Sequence, residues 1–278
     1  MEGTSPAIVS LTFATLVAIV GMPHGGLDHL FGRELFRPSW GRMWLVVFGI
    51  AYLGTAGLVL VGWFVAPTLT VVVFFLISAI HFGDDITAWQ PNRTIDGGLV
   101  IWIPLLFRTD EVAQHLAWIM PDGDERRIRD SLQSVQPLLW AVCGFFLWSL
   151  ISDRPGNRVR KLVFALFFIL VPTLISFTIY FCGWHSTREL MSLSRRANPH
   201  YPWQGLRWVM IAAAPMAAIA VIATGITAWV FASDRELQPV IVQAVFLGLS
   251  VVAIPHILLQ AAAKHGNANP FPTVVNES

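Results

Sequence analysis

Long apolar stretches dominate this chain of 278 residues and restrict the folds open to it. Only 13% of its residues are charged, against about 25% in average soluble chains. A helix needs about 20 largely apolar residues to cross a bilayer. Six or seven stretches meet that length, at about 7–29, 43–65, 68–86, 135–152, 160–182, 206–232 and 239–263. The sequence therefore predicts an all-α, polytopic integral membrane helical bundle with about seven transmembrane helices.

An eighth apolar segment, 97–107, is too short for a crossing. It contains Pro104 and is flanked by Asp96 and Arg108, so we expect a short re-entrant or interfacial helix there. The whole chain, 1–278, is predicted to form a single membrane domain. That domain would carry a polar insertion near 108–134 and a polar tail over 264–278.

Four histidines lie at or near the ends of apolar stretches: His24, His81, His185 and His256. If 97–107 does not cross, the carboxyl ends of the first, third, fifth and seventh spans share one side of the membrane, and all four histidines lie there. If it did cross, His185 and His256 would move to the opposite face. The seven-span topology thus predicts that one site can use all four.

The basic residues are unevenly divided in this topology, and short cytoplasmic loops favour Lys and Arg. The histidine side would carry Arg33, Arg37, Arg42, Arg93, Arg108, Arg126, Arg127, Arg129, Arg188, Arg195, Arg196, Arg207 and Lys264. The other side would carry Arg154, Arg158, Arg160, Lys161 and Arg235. This bias predicts a multi-pass protein of the cell (inner or plasma) membrane, with its N-terminus outside and its C-terminus in the cytoplasm. The net charge of +1 gives no reason to expect nucleic acid as a partner.

A metal ion is the simplest partner for the four histidines, because imidazole is costly to place in hydrocarbon without compensation. Iron, zinc and copper accept neutral imidazole, and bundle cores build metal sites from facing helices. A single buried histidine is more often hydrogen-bonded to a carbonyl group. Four on one side of a membrane bundle favour a metal or a comparable polar site.

Three of these histidines have an acid four residues later: Asp28, Asp85 and Glu189. On a continuous helix this spacing places the acid on the face of its histidine. Such a carboxylate can ligate the metal or accept the second imidazole N–H. His29 is a further candidate near the membrane surface. The other histidines, His115, His200 and His265, lie in polar or proline-rich surroundings and are predicted to be surface residues.

At these positions the chain resembles the Brp/Blh family of membrane β-carotene 15,15′-dioxygenases. The resemblance covers nearly the whole chain in motif order. Pro23–Asp28 is similar to the family's Pro-His-Gly-Ala-hydrophobic-Asp, and His81-Phe82-Gly83 to its His-Phe-Gly. Tyr180–Ser186 resembles the segment that leads to its His-Ser pair, and Pro255-His256 its Pro-His motif. Four ordered motifs make the resemblance specific.

The resemblance implies Fe(II)-dependent cleavage of β-carotene by O2 at the central double bond, giving two retinal molecules. Membrane lipid would deliver the substrate, and a microbial rhodopsin is the implied user of the product. The implied metal ligands are His24, His81, His185, His256 and Glu189, with Asp28, Asp85 and His29 supporting them. Glu189 stands where the family commonly has a second histidine, and the pair Asp84-Asp85 also departs from the family spacing.

Two other functions fit the same features. A transporter or ion channel could use intramembrane His and Asp to relay protons or bind a cation. A carotenoid-binding protein that does not cleave its ligand is the second alternative. A retinal-binding rhodopsin is disfavoured, because it needs a lysine inside the bundle and the only lysines, Lys161 and Lys264, lie at predicted span ends.

Overall fold

The computed structural model describes residues 6–86, 93–121, 123–232, 235–266 and 271, with the backbone alone at residues 6, 84–86 and 93. Within these ranges all regular structure is helical, which confirms the all-α fold class. The α-helices are α1 Pro6–Leu16, α2 Met22–Gly25, α3 Asp28–Trp40, α4 Trp44–Val65, α5 Pro67–Ile86, α6 Arg93–Gly97, α7 Leu99–Phe107, α8 Thr109–Ile119, α9 Glu125–Ser152, α10 Pro155–Leu170, α11 Thr173–Thr178, α12 Thr187–Ala197, α13 Pro202–Phe231 and α14 Leu237–His265. Two π-helical segments, Val17–Gly21 and Ile179–Ser186, interrupt this series.

Four helical stretches of the described chain are long and apolar enough to cross a membrane: Ala7–Val65, Glu125–Ser152, Pro202–Phe231 and Leu237–His265. α4 within the first of them buries only a narrow stripe, while Ile50 and Leu58 are 70% and 74% exposed. Exposed aliphatic side chains on this scale suit contact with lipid. A multi-helix membrane protein is therefore supported, and the number seven stays a prediction.

The first of these stretches folds back on itself at Gly41, whose φ of +51° suits glycine. The chain then returns along α3, so that Tyr52 meets Asp28 and Phe48 meets Gly32. A Cβ atom on Gly32 would lie 2.4 Å from Phe48 Cδ2, which shows how closely α3 and α4 approach. This pairing places Asp28 beside Tyr52, near the middle of α4.

The predicted span 160–182 is wrong as a single crossing, because it is a helical hairpin. α10 ends at Leu170 and α11 begins at Thr173. The ring of Phe168 packs on Tyr180, and that of Phe164 packs on both Tyr180 and Trp184, the pairing of antiparallel helices. Pro172 explains the break, since it lacks an N–H group and forces the preceding residue into an extended conformation.

The segment 97–107 also behaves differently from the prediction, because α7 runs parallel to α10. At one end, Asp96 Oδ2 lies 2.7 Å from Lys161 Nζ. At the other, the Arg108 guanidinium donates to the carbonyl oxygens of Ile169 and Leu170, at 3.1 and 2.9 Å. α7 is only about 14 Å long at 1.5 Å per residue, so it lies beside the second half of α10, from Lys161 to Leu170.

These two differences cancel. The unpredicted passage along α7 reverses the chain once, and the unpredicted turn at Pro172 reverses it again, so His185 returns to the end of the bundle where His81 lies. Two groups of four basic residues lie at opposite ends of the bundle from those predicted. Arg108, Arg126, Arg127 and Arg129 lie away from the histidines, and Arg154, Arg158, Arg160 and Lys161 lie at their end. The predicted charge bias is thus unchanged, and the orientation stays a prediction.

Lys161, which is predicted to lie at a span end, is fully buried within α10. Its ammonium group contacts the carboxylates of Asp96 and Asp153, which are 0% and 7% exposed. It therefore ties α6 to the α9–α10 connection.

The predicted polar insertion, 108–134, contains an amphipathic helix that packs in the bundle. α8 buries Val112, Ala113, Leu116 and Ile119 and contacts α9 and α14. α9 begins at Glu125, ten residues before the predicted span, because Asp124 caps it by accepting from the backbone N–H groups of Arg126 and Arg127.

Gly26 allows α13 to approach the α2–α3 junction. A Cβ atom there would lie 2.6 Å from the Ala213 carbonyl oxygen and 2.9 Å from its Cα. We expect Gly26→Ala to destabilise the protein by about 1–3 kcal/mol, because backbone atoms cannot move aside as a side chain can. Gly49→Ala is the matched control, since nothing lies within 4 Å of its added Cβ. Equal unfolding midpoints for the two variants in detergent would contradict this reading.

Candidate metal centre

The four predicted histidines converge at one place. His24 lies in α2, His81 in α5, His185 in the second π-helical segment and His256 in α14. Candidate ligand atoms of His24, His81 and His256 all lie within 4.8 Å of one another. The His185 ring centroid is 5.2 Å from that of His24 and 5.0 Å from that of His81. Three of the rings are buried and His81 is half-buried.

The two π-helical segments lie next to this cluster. One ends at Gly21, three residues before His24, and the other contains His185. π-helical turns are rare in proteins, and those that occur are often found at functional sites. The segments touch through Gly21, where a Cβ atom would lie 2.7 Å from Phe181 Cε1. Phe181 in turn stacks on His185 and meets the His24 ring edge-on, so it holds both imidazoles in place.

Hydrogen bonds fix the tautomers of two imidazoles. His24 Nδ1–H donates to the Gly21 carbonyl oxygen, and His256 Nδ1–H donates to Asp28 Oδ1 at 2.7 Å. In both rings the Nε2 lone pair is then available to a metal. Asp28 is 1% exposed, and its other oxygen, Oδ2, accepts from the Tyr52 hydroxyl at 2.8 Å. The half-buried Tyr52 and the buried Asp28 and His256 form a hydrogen-bonded chain that ends at the cluster.

Asp28 therefore supports His256 and not His24, its neighbour in sequence. An acid four residues after a histidine shares its face only on a continuous helix, but α2 ends at Gly25 and α3 begins at Asp28. Sequence reasoning also missed Tyr52. Its only signal was a hydroxyl group in a span that is otherwise nearly apolar.

The other predicted site residues lie around the cluster or have side chains outside the part of the chain that the structure describes. Glu189 is half-buried in α12 and interacts electrostatically with His256. Among the described residues, the group whose candidate ligand atoms lie within 4.8 Å of one another contains no carboxylate. His29 is half-buried and its Nδ1–H donates to the Gly26 carbonyl oxygen at 3.1 Å. Asp85 lies in α5, but its side chain is outside the described part of the chain.

A cavity of about 140 Å³ opens beside the histidines. All four imidazoles line it at one end, and aromatic and aliphatic side chains form most of its wall: Trp63, Phe74, Phe75, Phe177, Phe246 and Leu249. His115 lines it too and is half-buried, so its prediction as a surface residue is wrong. The reason is that α8 packs against α14. His200 and His265 are exposed, as predicted.

The donor set fits a first-row transition metal. Neutral imidazoles suit iron, zinc and copper, and those of His24 and His256 have their second nitrogens hydrogen-bonded as metal-binding histidines usually do. An apolar cavity at the same point suits a ligand with little polarity. The site can thus hold a metal beside an apolar molecule.

Asp28→Asn is expected to lower metal affinity by about 10- to 100-fold, because the amide removes the charge that favours the donating Nδ1–H of His256. Titration of the metal-free protein with Fe(II) under anaerobic conditions measures this directly. Tyr52→Phe should give a smaller change in the same direction, as it removes one hydrogen bond to Asp28. The exposed Asp130→Asn is the control. An Asp28→Asn affinity equal to that of the control would refute the supporting role.

Comparisons with known proteins cover most of the chain. A family model described as "Beta-carotene 15,15'-dioxygenase" matches residues 15–263. The Beta-carotene 15,15'-dioxygenase of uncultured marine bacterium 66A03 is 26% identical over 265 residues, 88% of this chain and 90% of the relative. The Probable beta-carotene 15,15'-dioxygenase Blh of Halobacterium salinarum (strain ATCC 700922 / JCM 11081 / NRC-1) is 24% identical over 285 residues, 88% of this chain and 82% of the relative. No solved structure matches the chain significantly.

Proposed function

Because the chain belongs to the β-carotene 15,15′-dioxygenase family, we propose that it cleaves β-carotene at the central double bond with O2 and forms two retinal molecules. The double bond breaks and each of its carbons takes one oxygen atom, so the reaction needs no other oxidant or reductant. The observation that carries the proposal is the cluster of four imidazoles at one end of an apolar cavity.

We propose Fe(II) as the metal, with His24, His81, His185 and His256 as its ligands. Glu189 is retained as a candidate ligand, since it is half-buried and interacts with His256. Asp28 supports the site through His256, and Asp85 and His29 are weaker candidates for the same kind of role. When bound, the iron supplies the redox chemistry that activates O2.

The chain's own residues position the substrate and exclude water. The aromatic wall of the cavity suits a rigid polyene, which would be held with its central double bond beside the histidines. Phe181 and the Gly21 carbonyl group hold His24, while Asp28 and Tyr52 hold His256. The ligand geometry is therefore set before the substrate binds.

The membrane is part of the proposal, because a C40 hydrocarbon partitions into lipid and both products can return to it. We propose a multi-pass protein of the cell membrane with the histidine end facing the cytoplasm, in line with the excess of basic residues at that end. A microbial rhodopsin is the proposed consumer of the retinal.

Expression in β-carotene-producing bacterial cells, followed by chromatography of the pigments, tests the function. Cells with the wild-type protein should lose β-carotene and accumulate retinal, and cells with an empty vector should not. Unaltered carotenoid that co-purifies with the protein, without retinal, would identify a carotenoid-binding protein. Metal-dependent ion flux in liposomes without carotenoid turnover would identify a transporter.

A further inference from the structure

One face of α12 is strongly basic. An open pocket on this face is lined by three exposed arginines and two half-buried residues: Arg188, Arg195, Arg196, Met191 and Ser192. Positions three and four residues apart lie on the same face of a helix, which explains how these side chains meet. The opposite face of α12 is buried and packs on α13, through Leu190, Leu193 and Ser194.

The positive charge of the pocket is not neutralised by its own helix. Neither Arg195 nor Arg196 forms an ion pair within the part of the chain that the structure describes. α12 has one acidic residue, Glu189, but this side chain does not line the pocket and interacts with His256 instead. Guanidinium groups bind phosphate oxygens through paired N–H donors. The pocket therefore suits an anionic phosphate group.

The pocket lies where the chain enters the membrane. α12 ends at Ala197, and α13, which begins at Pro202, is long and apolar enough to cross a bilayer. Tyr201 and Trp203 are strongly exposed at its beginning. Exposed Tyr and Trp at the end of a spanning helix are typical of the membrane–water interface.

α12 is held close to this interface by its contacts with the start of α13. The Ser194 hydroxyl donates to the Pro202 carbonyl oxygen. The Gly205 backbone approaches the Ser194 carbonyl oxygen so closely that a Cβ atom on residue 205 would not fit. The arginines of α12 are thus placed at the level of the lipid headgroups.

We propose that the α12 pocket binds the headgroup of an anionic phospholipid, with the lipid phosphate held by Arg188, Arg195 and Arg196. A lipid is favoured over a free anion because the pocket lies at the membrane surface, where basic pockets beside spanning helices bind anionic headgroups. The half-buried Met191 offers the lipid an apolar contact in the same pocket. No residue of this pocket lines the histidine cavity, so the inference does not depend on the proposed function.

Native mass spectrometry of the purified full chain in a non-ionic detergent tests the inference. The anionic probe is dioleoylphosphatidylglycerol, and dioleoylphosphatidylcholine is the zwitterionic comparison. We expect the wild type to bind the phosphatidylglycerol about 25-fold or more tightly than the phosphatidylcholine. The double variant Arg195→Gln/Arg196→Gln should lose most of this preference, because each arginine near a headgroup contributes about fivefold. Arg195→Lys/Arg196→Lys keeps both charges and should keep most of the affinity.

Arg126→Gln/Arg127→Gln is the matched control. These two arginines are also adjacent and exposed, and their loss changes the net charge equally, but they lie at the other end of the bundle. Equal affinities of the wild type for the two lipids, or equal losses in the two glutamine variants, would overturn the inference. Displacement of the phosphatidylglycerol by inorganic phosphate would overturn it as well, since that result identifies a site for a free anion. None of these measurements requires retinal formation, so this inference and the proposed function fail separately.

Discussion

His24→Ala is expected to remove the bound metal and to reduce retinal formation by more than about 100-fold, the upper range for loss of a group that only supports a metal ligand. His24 is buried and contacts two other histidines of the cluster. Its ring lies 5.2 Å from that of His185 and 5.3 Å from that of His256, and its Nδ1 is held by the Gly21 carbonyl group. Alanine would remove one of the four imidazole donors.

Two measurements on the purified protein check this expectation: iron per protein by elemental analysis, and retinal formed per minute. His200→Ala is the control, because His200 is exposed and lines neither the cluster nor the cavity. Glu189→Ala, measured beside them, decides whether that carboxylate is a ligand. A His24→Ala protein that keeps both its iron and its activity would show that the cluster is not the metal centre.

Lys161→Ala is expected to lower the free energy of unfolding by about 3–5 kcal/mol, because it leaves two buried carboxylates without their shared cation. Lys161 and Asp96 are both 0% exposed, and Asp153 is 7% exposed. The three residues join α6, the α9–α10 connection and α10, so their loss would loosen the hairpin that places His185. Retinal formation should fall as a consequence.

Unfolding in detergent, monitored by circular dichroism, measures the difference in the free energy of unfolding between wild type and Lys161→Ala. The matched control is Arg154→Ala, which removes an exposed charge from the same connection and should change stability by less than about 1 kcal/mol. Replacing the lysine and both aspartates by apolar residues should recover part of the loss, since an apolar cluster does not bury charge. If Lys161→Ala and Arg154→Ala unfold alike, the buried triad does not stabilise the fold.

The histidine cluster could be predicted from the sequence because each histidine marks the end of an apolar stretch, and a membrane aligns such ends. All four histidines lie at one end of the bundle, as predicted, although the chain's path differs from the predicted topology at two places. Pro172 is a residue that breaks helices. The residues on both sides of it are apolar, however, and together have the length of one span, so the sequence predicts a single crossing. The short length of 97–107 predicts a re-entrant or interfacial helix. The segment instead runs beside α10.

Long-range pairs could not be predicted. Asp28 and His256 are 228 positions apart, and Tyr52 carries no motif, so only the fold brings these three together. The contacts of Lys161 could not be predicted from the sequence either. Its place at a predicted span end suggested exposure, whereas Asp96 and Asp153 hold it inside the bundle. A retinal-binding rhodopsin stays disfavoured, because the Lys161 ammonium group is held between two carboxylates and does not line the cavity.

Metal reconstitution tests the central claim most directly. The purified protein is stripped of metal with a chelator under anaerobic conditions, divided, and supplied with Fe(II), Zn(II) or buffer before β-carotene and O2 are added. The account predicts no retinal from the stripped protein or its Zn(II) form, and retinal from the Fe(II) form in proportion to the iron bound, up to one ion per chain. Retinal formed at the wild-type rate by the stripped protein would contradict it.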